Sequence, residues 1–293
     1  MKPYLGRLLG LVARTPAGQK LWPPRIPGYK RLCKIGCGTY GDVYLVRNEI
    51  LDSQLRAAKV VWPQTQWGED FYEREVRGLQ SYSSLAGTHE GLLTIWHVGQ
   101  HSRLGYLYYV MDLADDWVSG RAVNPRHYRP KSLHELLAHQ GALSLDECIR
   151  ISQDLLEALE HLHRNNLIHR DIKPLNIIFV DGRPKLADIG LLTHVGSLSF
   201  VGTREYMPPE GPGQPTADIY SFGKVLQQMS PPGADPQSVY LRGVAAKACA
   251  SLPEQRFQSA SEMSRALRVL VASSASPARQ PSAPSKCKTT KLI

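Results

Sequence analysis

Three glycines stand between two strand-like segments in Gly36-Cys37-Gly38-Thr39-Tyr40-Gly41-Asp42-Val43. Glycine lets a backbone turn tightly and point its N–H groups at phosphate oxygens. The same spacing occurs in dinucleotide-binding folds, but there the loop opens a helix. Residues 42–47 alternate like a strand, which favours a hairpin lid. The next strand carries Lys59 among Ala57, Ala58, Val60 and Val61. An ammonium buried without a partner is costly, so Lys59 needs a carboxylate. The charged helix expected over 71–82 offers Glu73 and Glu75. Further on, His169-Arg170-Asp171-Ile172-Lys173-Pro174-Leu175-Asn176 and Asp188-Ile189-Gly190 concentrate acids, bases and an amide. Any one of these charges alone reads as a solvated surface group. The whole set, in this order and in these elements, does not.

Glycine-rich loop, strand lysine, helix glutamate, catalytic-loop sequence and metal tripeptide together resemble the protein kinase family, over roughly residues 26–271. The resemblance implies ATP and Mg²⁺ as cofactors. It places Ile35, Gly36, Cys37, Gly38, Thr39, Tyr40, Gly41 and Val43 over the nucleotide. Lys59 then holds the α- and β-phosphates and Glu75 orients it. Glu75 fits better than Glu73 because Leu79 follows it by four. Met111 becomes the residue behind the adenine, and backbone groups of Asp112 and Ala114 bond its edge. Val43 and Ala57 above and Ile178 below sandwich the ring. Asp171 accepts the substrate hydroxyl's proton, Lys173 neutralises the moving phosphoryl group, and Asn176 and Asp188 hold magnesium. Isoleucine replaces the usual phenylalanine at position 189, which leaves the metal-binding carboxylate in place and removes aromatic packing.

Lys173 with Thr203 resembles the serine/threonine branch, and the compact large lobe resembles bacterial members. The implied partners are proteins offering Ser or Thr hydroxyls. A small-molecule kinase usually lacks the Lys173 position. A pseudokinase scaffold, the alternative from another class, predicts loss of a metal or base residue, and none is lost. Glu210, in Pro208-Pro209-Glu210, expects Arg256 as partner, and Asp218 is expected to brace the catalytic-loop backbone. The short distance from Asp218 to Arg256 leaves no room for the family's substrate-docking helix. Residues 115–131 form an insert after the hinge, readable as a lid or a solvated loop. Ser199, or else Ser197, is the expected phosphorylation site on the activation segment.

The elements that must position these residues fall into two groups. Strand-like alternation marks 29–35, 42–47, 56–62, 92–99 and 106–113. A long amphipathic helix follows at 144–165, with Cys148, Ile151, Leu155, Ala158, Leu159 and Leu162 as its stripe, and then mostly helix. A strand-rich part followed by a helix-rich part gives an α+β class with two lobes, and the resemblance implies the two-lobed kinase fold, with a small β-rich lobe and a larger helical lobe. The divisions are a loosely structured leader at 1–27, the small lobe at 28–113, the large lobe at 114–272 and a disordered basic tail at 273–293.

The net charge of +9 gathers at the two ends, where acids are scarce. Basic ends favour anionic partners, yet no nucleic-acid motif accompanies them, so none is expected. Five scattered cysteines make neither a disulfide framework nor a zinc site. No apolar run is long enough to span a membrane, and a cytoplasmic protein is the expectation. Oligomeric state has no signal.

Overall fold

The structure is a computed structural model that describes residues 24–38, 41–63, 69–85, 87–196 and 202–274. Its first part is a five-stranded antiparallel sheet. The strands are β1 (Tyr29–Gly38), β2 (Gly41–Asn48), β3 (Leu55–Val61), β4 (Ile95–Gln100) and β5 (Leu107–Met111). Their order is β1-β2-β3-β5-β4, with helix α1 (Glu69–Tyr82) between β3 and β4 in sequence. Alternation gives each strand two faces. On one face Tyr44, Val46, Ala58, Val60, Tyr106, Tyr108 and Val110 close a small core. Ile26 belongs to that core, so the packed small lobe begins ahead of β1. The Tyr106 hydroxyl fastens this entry segment, accepting from the Arg25 N–H at 2.9 Å and donating to its carbonyl at 2.7 Å. The other face carries Val43, Ala57, Lys59, Tyr109 and Met111, which the register places on adjacent strands.

The rest is built on helices α2 (Leu133–Gln140), α3 (Leu145–Arg164), α4 (Pro215–Met229), α5 (Pro236–Ala248) and α6 (Ala260–Ser274). Between α3 and α4 run short strands β6 (Leu167–Ile168), β7 (Ile177–Val180), β8 (Arg183–Leu186) and β9 (Thr193–His194). The start of α3 is set by a capping box: the Ser144 hydroxyl accepts from the Glu147 N–H, and the Glu147 carboxylate accepts from the Ser144 N–H. The expected stripe from Cys148 to Leu162 is buried. Helix α4 runs through the centre, burying Ile219, Phe222, Val225, Leu226 and Met229. Residues 230–235 then connect α4 directly to α5 without a helix, in keeping with the missing docking helix. The chemical residues converge where the sheet meets the helical part, as the bonds of Lys59 on β3 to Glu75 and Asp188 show.

Candidate active site

Lys59 is fixed on β3, and its ammonium reaches two carboxylates: Glu75 of α1 at 2.9 Å and Asp188 at 2.8 Å. Tyr109, the neighbour of Lys59 across the β3–β5 ladder, donates its hydroxyl to the same Glu75 oxygen at 2.7 Å. Burial works against the ammonium, but Asp188 and Glu75 outweigh it and hold the Lys59 pKa well above lysine's ordinary value. For Asp188 the opposition is the same. Burial raises its pKa, and Lys59, Lys173 and His169 bring it below the usual carboxylate value. Glu73 lies exposed and, among the described residues, pairs along its own helix with Arg77. The choice between the two glutamates therefore falls to Glu75.

The seat of α1 explains how Glu75 reaches its place. A Cβ on Gly78 would stand 2.8 Å from the Ile189 carbonyl, and a Cβ on Gly190 would run into the Glu75 carboxylate. Both positions need glycine for close approach. Ile189 itself is buried, so the segment is anchored by an aliphatic side chain. Asp188 has a left-handed backbone, φ +59°, uncommon for a non-glycine residue.

The second half of the site lies on the loop between β6 and β7. The Asp171 carboxylate is buried and receives four side-chain and backbone donors. Lys173 Nζ and Asn176 Nδ2 reach one oxygen at 2.7 and 2.8 Å. The Thr203 hydroxyl and N–H reach the other at 2.8 and 3.1 Å. Lys173 also donates to the Thr203 hydroxyl at 2.7 Å. Asn176 donates again to the Asp171 carbonyl at 2.8 Å, which orients its amide and leaves its oxygen free of that pair. An amide oxygen and the Asp188 carboxylate form a hard-oxygen donor set suited to Mg²⁺. Among the described residues there is no cluster of three or more His, Cys, Asp or Glu that could hold a metal instead.

The loop is held from beneath by Asp218 of α4. Its carboxylate accepts the N–H groups of His169 and Arg170, each at 2.8 Å. A third partner escaped the sequence: His163, at the end of α3, whose Nε2 lies 2.9 Å from Asp218. Burial raises the Asp218 pKa, and His163, His169 and the loop N–H bond more than reverse this, so it lies below the ordinary value. Arg170 has φ +73°, so the residue before Asp171 sits in a strained conformation that Asp218 grips at its N–H. Deeper in the lobe, Arg256 is fully buried and forks onto Glu210 at 2.5 and 2.9 Å. The expected pair is present, although the Glu210 side chain keeps 31% of its exposure.

The residues expected to line a nucleotide are mostly only partly covered. Ile35, Gly36, Val43, Met111 and Ile178 are half-buried and Cys37 is exposed, while Ala57 is buried. Val43, Ala57 and Met111 share one face of the sheet. The Asp112 side chain points away into a separate knot, accepting from Thr94 N–H, Trp96 Nε1 and Lys185 Nζ. The Asp112 N–H donates to the Thr94 carbonyl at 3.1 Å, so only the Asp112 carbonyl is left for a ligand. Thr39 and Tyr40 of the loop, the leader to residue 23, the tail from 275, Ser197 and Ser199 lie outside the described residues. Gly38 and Gly41 close the β1–β2 hairpin as its last pair.

The insert at 115–131 is a folded strap. Asp116 accepts from the N–H groups of Val118, Ser119 and Arg129, each at 2.9 Å, and from the Ser119 hydroxyl at 3.0 Å. The Asp115 carboxylate accepts from the Asp181 and Gly182 N–H groups of the β7–β8 turn. Tyr128 donates its hydroxyl to the Ala114 carbonyl at 2.9 Å.

This arrangement defines a class. A family model of the protein kinase domain matches residues 29–273, and the chain belongs to that family. The serine/threonine-protein kinase PrkC of Bacillus subtilis is 31% identical over 217 residues, covering 70% of this chain and 31% of that protein. The serine/threonine-protein kinase PknK of Mycobacterium tuberculosis (strain ATCC 25618 / H37Rv) is 31% identical over 220 residues, 69% of this chain and 18% of its own length. The chain thus spans about a third or less of these two relatives. The kinase domain of Mycobacterium tuberculosis PknI has the same fold, with TM-score 0.61 at 24% identity, over 84% of this chain and 98% of that one.

Proposed function

We propose that the chain is an ATP-dependent serine/threonine protein kinase, with Asp171 as catalytic base. The observation that carries this is the seat of the Thr203 hydroxyl. It donates to Asp171 at 2.8 Å and accepts from Lys173 at 2.7 Å. An aliphatic hydroxyl is thus held where an acceptor hydroxyl needs to be, with a carboxylate to take its proton and a cation for the charge on the phosphoryl group. Lys59, oriented by Glu75, binds the α- and β-phosphates beneath the glycine loop. Asn176 and Asp188 hold Mg²⁺, which supplies neutralisation of phosphate charge. The apolar groove lined by Ile35, Val43, Ala57, Met111 and Ile178 receives the adenine, whose edge meets the backbone of Asp112 and Ala114. The serine/threonine names of PrkC and PknK support the acceptor class. Among the described residues no helix is long and apolar enough to cross a membrane, and a cytoplasmic site of action belongs to the same proposal.

The chain, incubated with labelled ATP, Mg²⁺ and a generic basic protein, should transfer label to Ser and Thr. Asp171→Asn should lower the rate about 10²–10⁴-fold, the range for loss of a general base. Equal labelling by both proteins would refute the assignment. ADP binding without any transfer would favour the nucleotide-binding scaffold.

A further inference from the structure

Two strands of the sheet, not one, reach the carboxylate that steadies Lys59. The register sets Tyr109 of β5 directly across from Lys59 of β3. Opposite residues of a ladder share a face, so both side chains leave the sheet together. Both end on one atom: Glu75 Oε1 accepts from the Lys59 ammonium at 2.9 Å and from the Tyr109 hydroxyl at 2.7 Å. All three residues are buried. The Tyr109 ring also flanks its neighbour, with Lys59 Nζ 5.9 Å from the ring centroid. One tyrosine thus touches both members of the ion pair.

The two holds on Glu75 differ in kind. Lys59 has other claims on it. Its ammonium already reaches Asp188 at 2.8 Å, and in the function proposed above it turns to the α- and β-phosphates. Each further anion that Lys59 serves weakens its grip on Glu75. A buried carboxylate whose cation is drawn elsewhere is costly, and a glutamate relieves that cost by swinging toward water. The phenol is not shared in this way. Among the described residues its hydroxyl has Glu75 as its hydrogen-bond partner. Burial, then the charge of Glu75, push the Tyr109 pKa well above the ordinary tyrosine value, so the phenol stays a neutral donor. Being neutral, it holds Glu75 without competing for the phosphates. Its ring turns about two bonds, whereas the ammonium rides a flexible four-carbon stem.

We propose that Tyr109 is a positioning residue for phosphoryl transfer: its hydroxyl keeps Glu75, and with it α1, on the sheet while Lys59 engages phosphate. This inference rests on the roles given above to Lys59 and Glu75. Tyr109 acts through Glu75 and not on the nucleotide. Without the hydroxyl, Glu75 is left with a shared ammonium, and α1 loses its second tie to the sheet. Lys59 then meets the phosphates misaligned, and small misplacements of this kind are expensive in rate.

The test is a double-mutant cycle on steady-state transfer from ATP, with Mg²⁺, to a generic basic protein by the full chain. Tyr109→Phe keeps the ring and its place beside Lys59 and removes only the hydroxyl. Its kcat should fall about tenfold, with KM for ATP changed by less than about threefold. Glu75→Ala should lower kcat further. Adding Tyr109→Phe to Glu75→Ala should change kcat by less than about twofold, because the hydroxyl then has nothing to hold. Loss of packing alone would act alike in both backgrounds. A second readout needs no turnover: with ADP bound, amide exchange in α1 should be about threefold or more faster in Tyr109→Phe than in the wild type. Wild-type kcat in folded Tyr109→Phe overturns the proposal. So does an equal loss with and without Glu75, or equal exchange in α1. Should Tyr109→Phe fail to fold, Tyr109→Met, which also fills the space without a donor, takes its place in both measurements. Full kcat in Glu75→Ala would instead remove the reading of Glu75, and this inference with it.

Discussion

Two buried aspartates each organise a loop, and they do it in opposite ways. Asp116 gathers donors mostly from its own neighbourhood, Val118 and Ser119, with Arg129 as its one distant partner. Asp218 gathers only distant ones: His163, His169 and Arg170, between 48 and 55 positions away. The first is a local turn, which short polar side chains form readily. The second exists only once α3, α4 and the catalytic loop have met. Local anchoring makes the Asp116 turn within the strap a self-contained unit. Long-range anchoring makes the catalytic loop, with its strained Arg170 backbone, a reporter of whether the whole large lobe is assembled.

The comparison breaks most visibly at Asp218. Replacing it with alanine strands two backbone N–H groups and releases the strain at Arg170. We expect kcat to fall at least about hundredfold and stability to drop by about 3–5 kcal/mol, as for a buried charged partner removed. His163→Leu should reproduce part of this, with kcat down about tenfold and little change in KM for ATP. His163→Gln, which can still donate to Asp218, should recover much of the loss. Full kcat in His163→Leu would show that Asp218 holds the loop unaided.

Asp116→Ala should cost less, about 1–2 kcal/mol for a lost set of turn hydrogen bonds. Its effect should be confined. Hydrogen exchange should rise at residues 117–130 while the amides of His169 and Arg170 stay protected. Accelerated exchange at those two amides would mean that the strap and the catalytic loop are one cooperative unit.

Acid gives the smallest and sharpest contrast. Both carboxylates have pKa values below the ordinary aspartate value. A depressed carboxylate stabilises the fold above its unfolded pKa, and this is lost as pH falls through the folded value. Asp218 does so through partners brought from across the lobe and Asp116 mainly through its own turn. As pH falls below the ordinary aspartate range, exchange at residues 117–130 and at 169–170 should therefore rise as two separate transitions. A single shared transition would contradict the distinction between local and long-range anchoring.

How much of this was legible in the sequence follows the same division. Lys59 announced itself as a charge in an apolar strand, and strand alternation placed it beside the groove. Glu75 was separable from Glu73 only through resemblance; the structure supplies the reason, since one faces the groove and the other solvent. The stripe from Cys148 to Leu162 fixed α3 almost to the residue because Ser144 and Glu147 spell its start. Helix α2 was missed although Ser132, Leu133, His134 and Glu135 carry a similar start signal, with the Ser132 hydroxyl accepting the Glu135 N–H. It is only two turns long, and a stripe needs more length to show. The sequence marks the strap as an insert, readable as a lid or a solvated loop, without showing which bonds fold it. Its turn rests on an aspartate followed by Ser119 and Gly120, a readable pattern. His163 had no such pattern, because nothing local ties it to a residue 55 positions away.

The glycines under α1 have a mechanical consequence. Gly78 brings the α1 backbone onto the Ile189 and Gly190 carbonyls, and bare Gly190 leaves the space that the Glu75 carboxylate takes. Two missing methyl groups thus set the depth at which the helix sits, and the Lys59–Glu75 pair latches it there. A single methyl group on either glycine would act as a wedge, lifting α1 and drawing Glu75 away from Lys59.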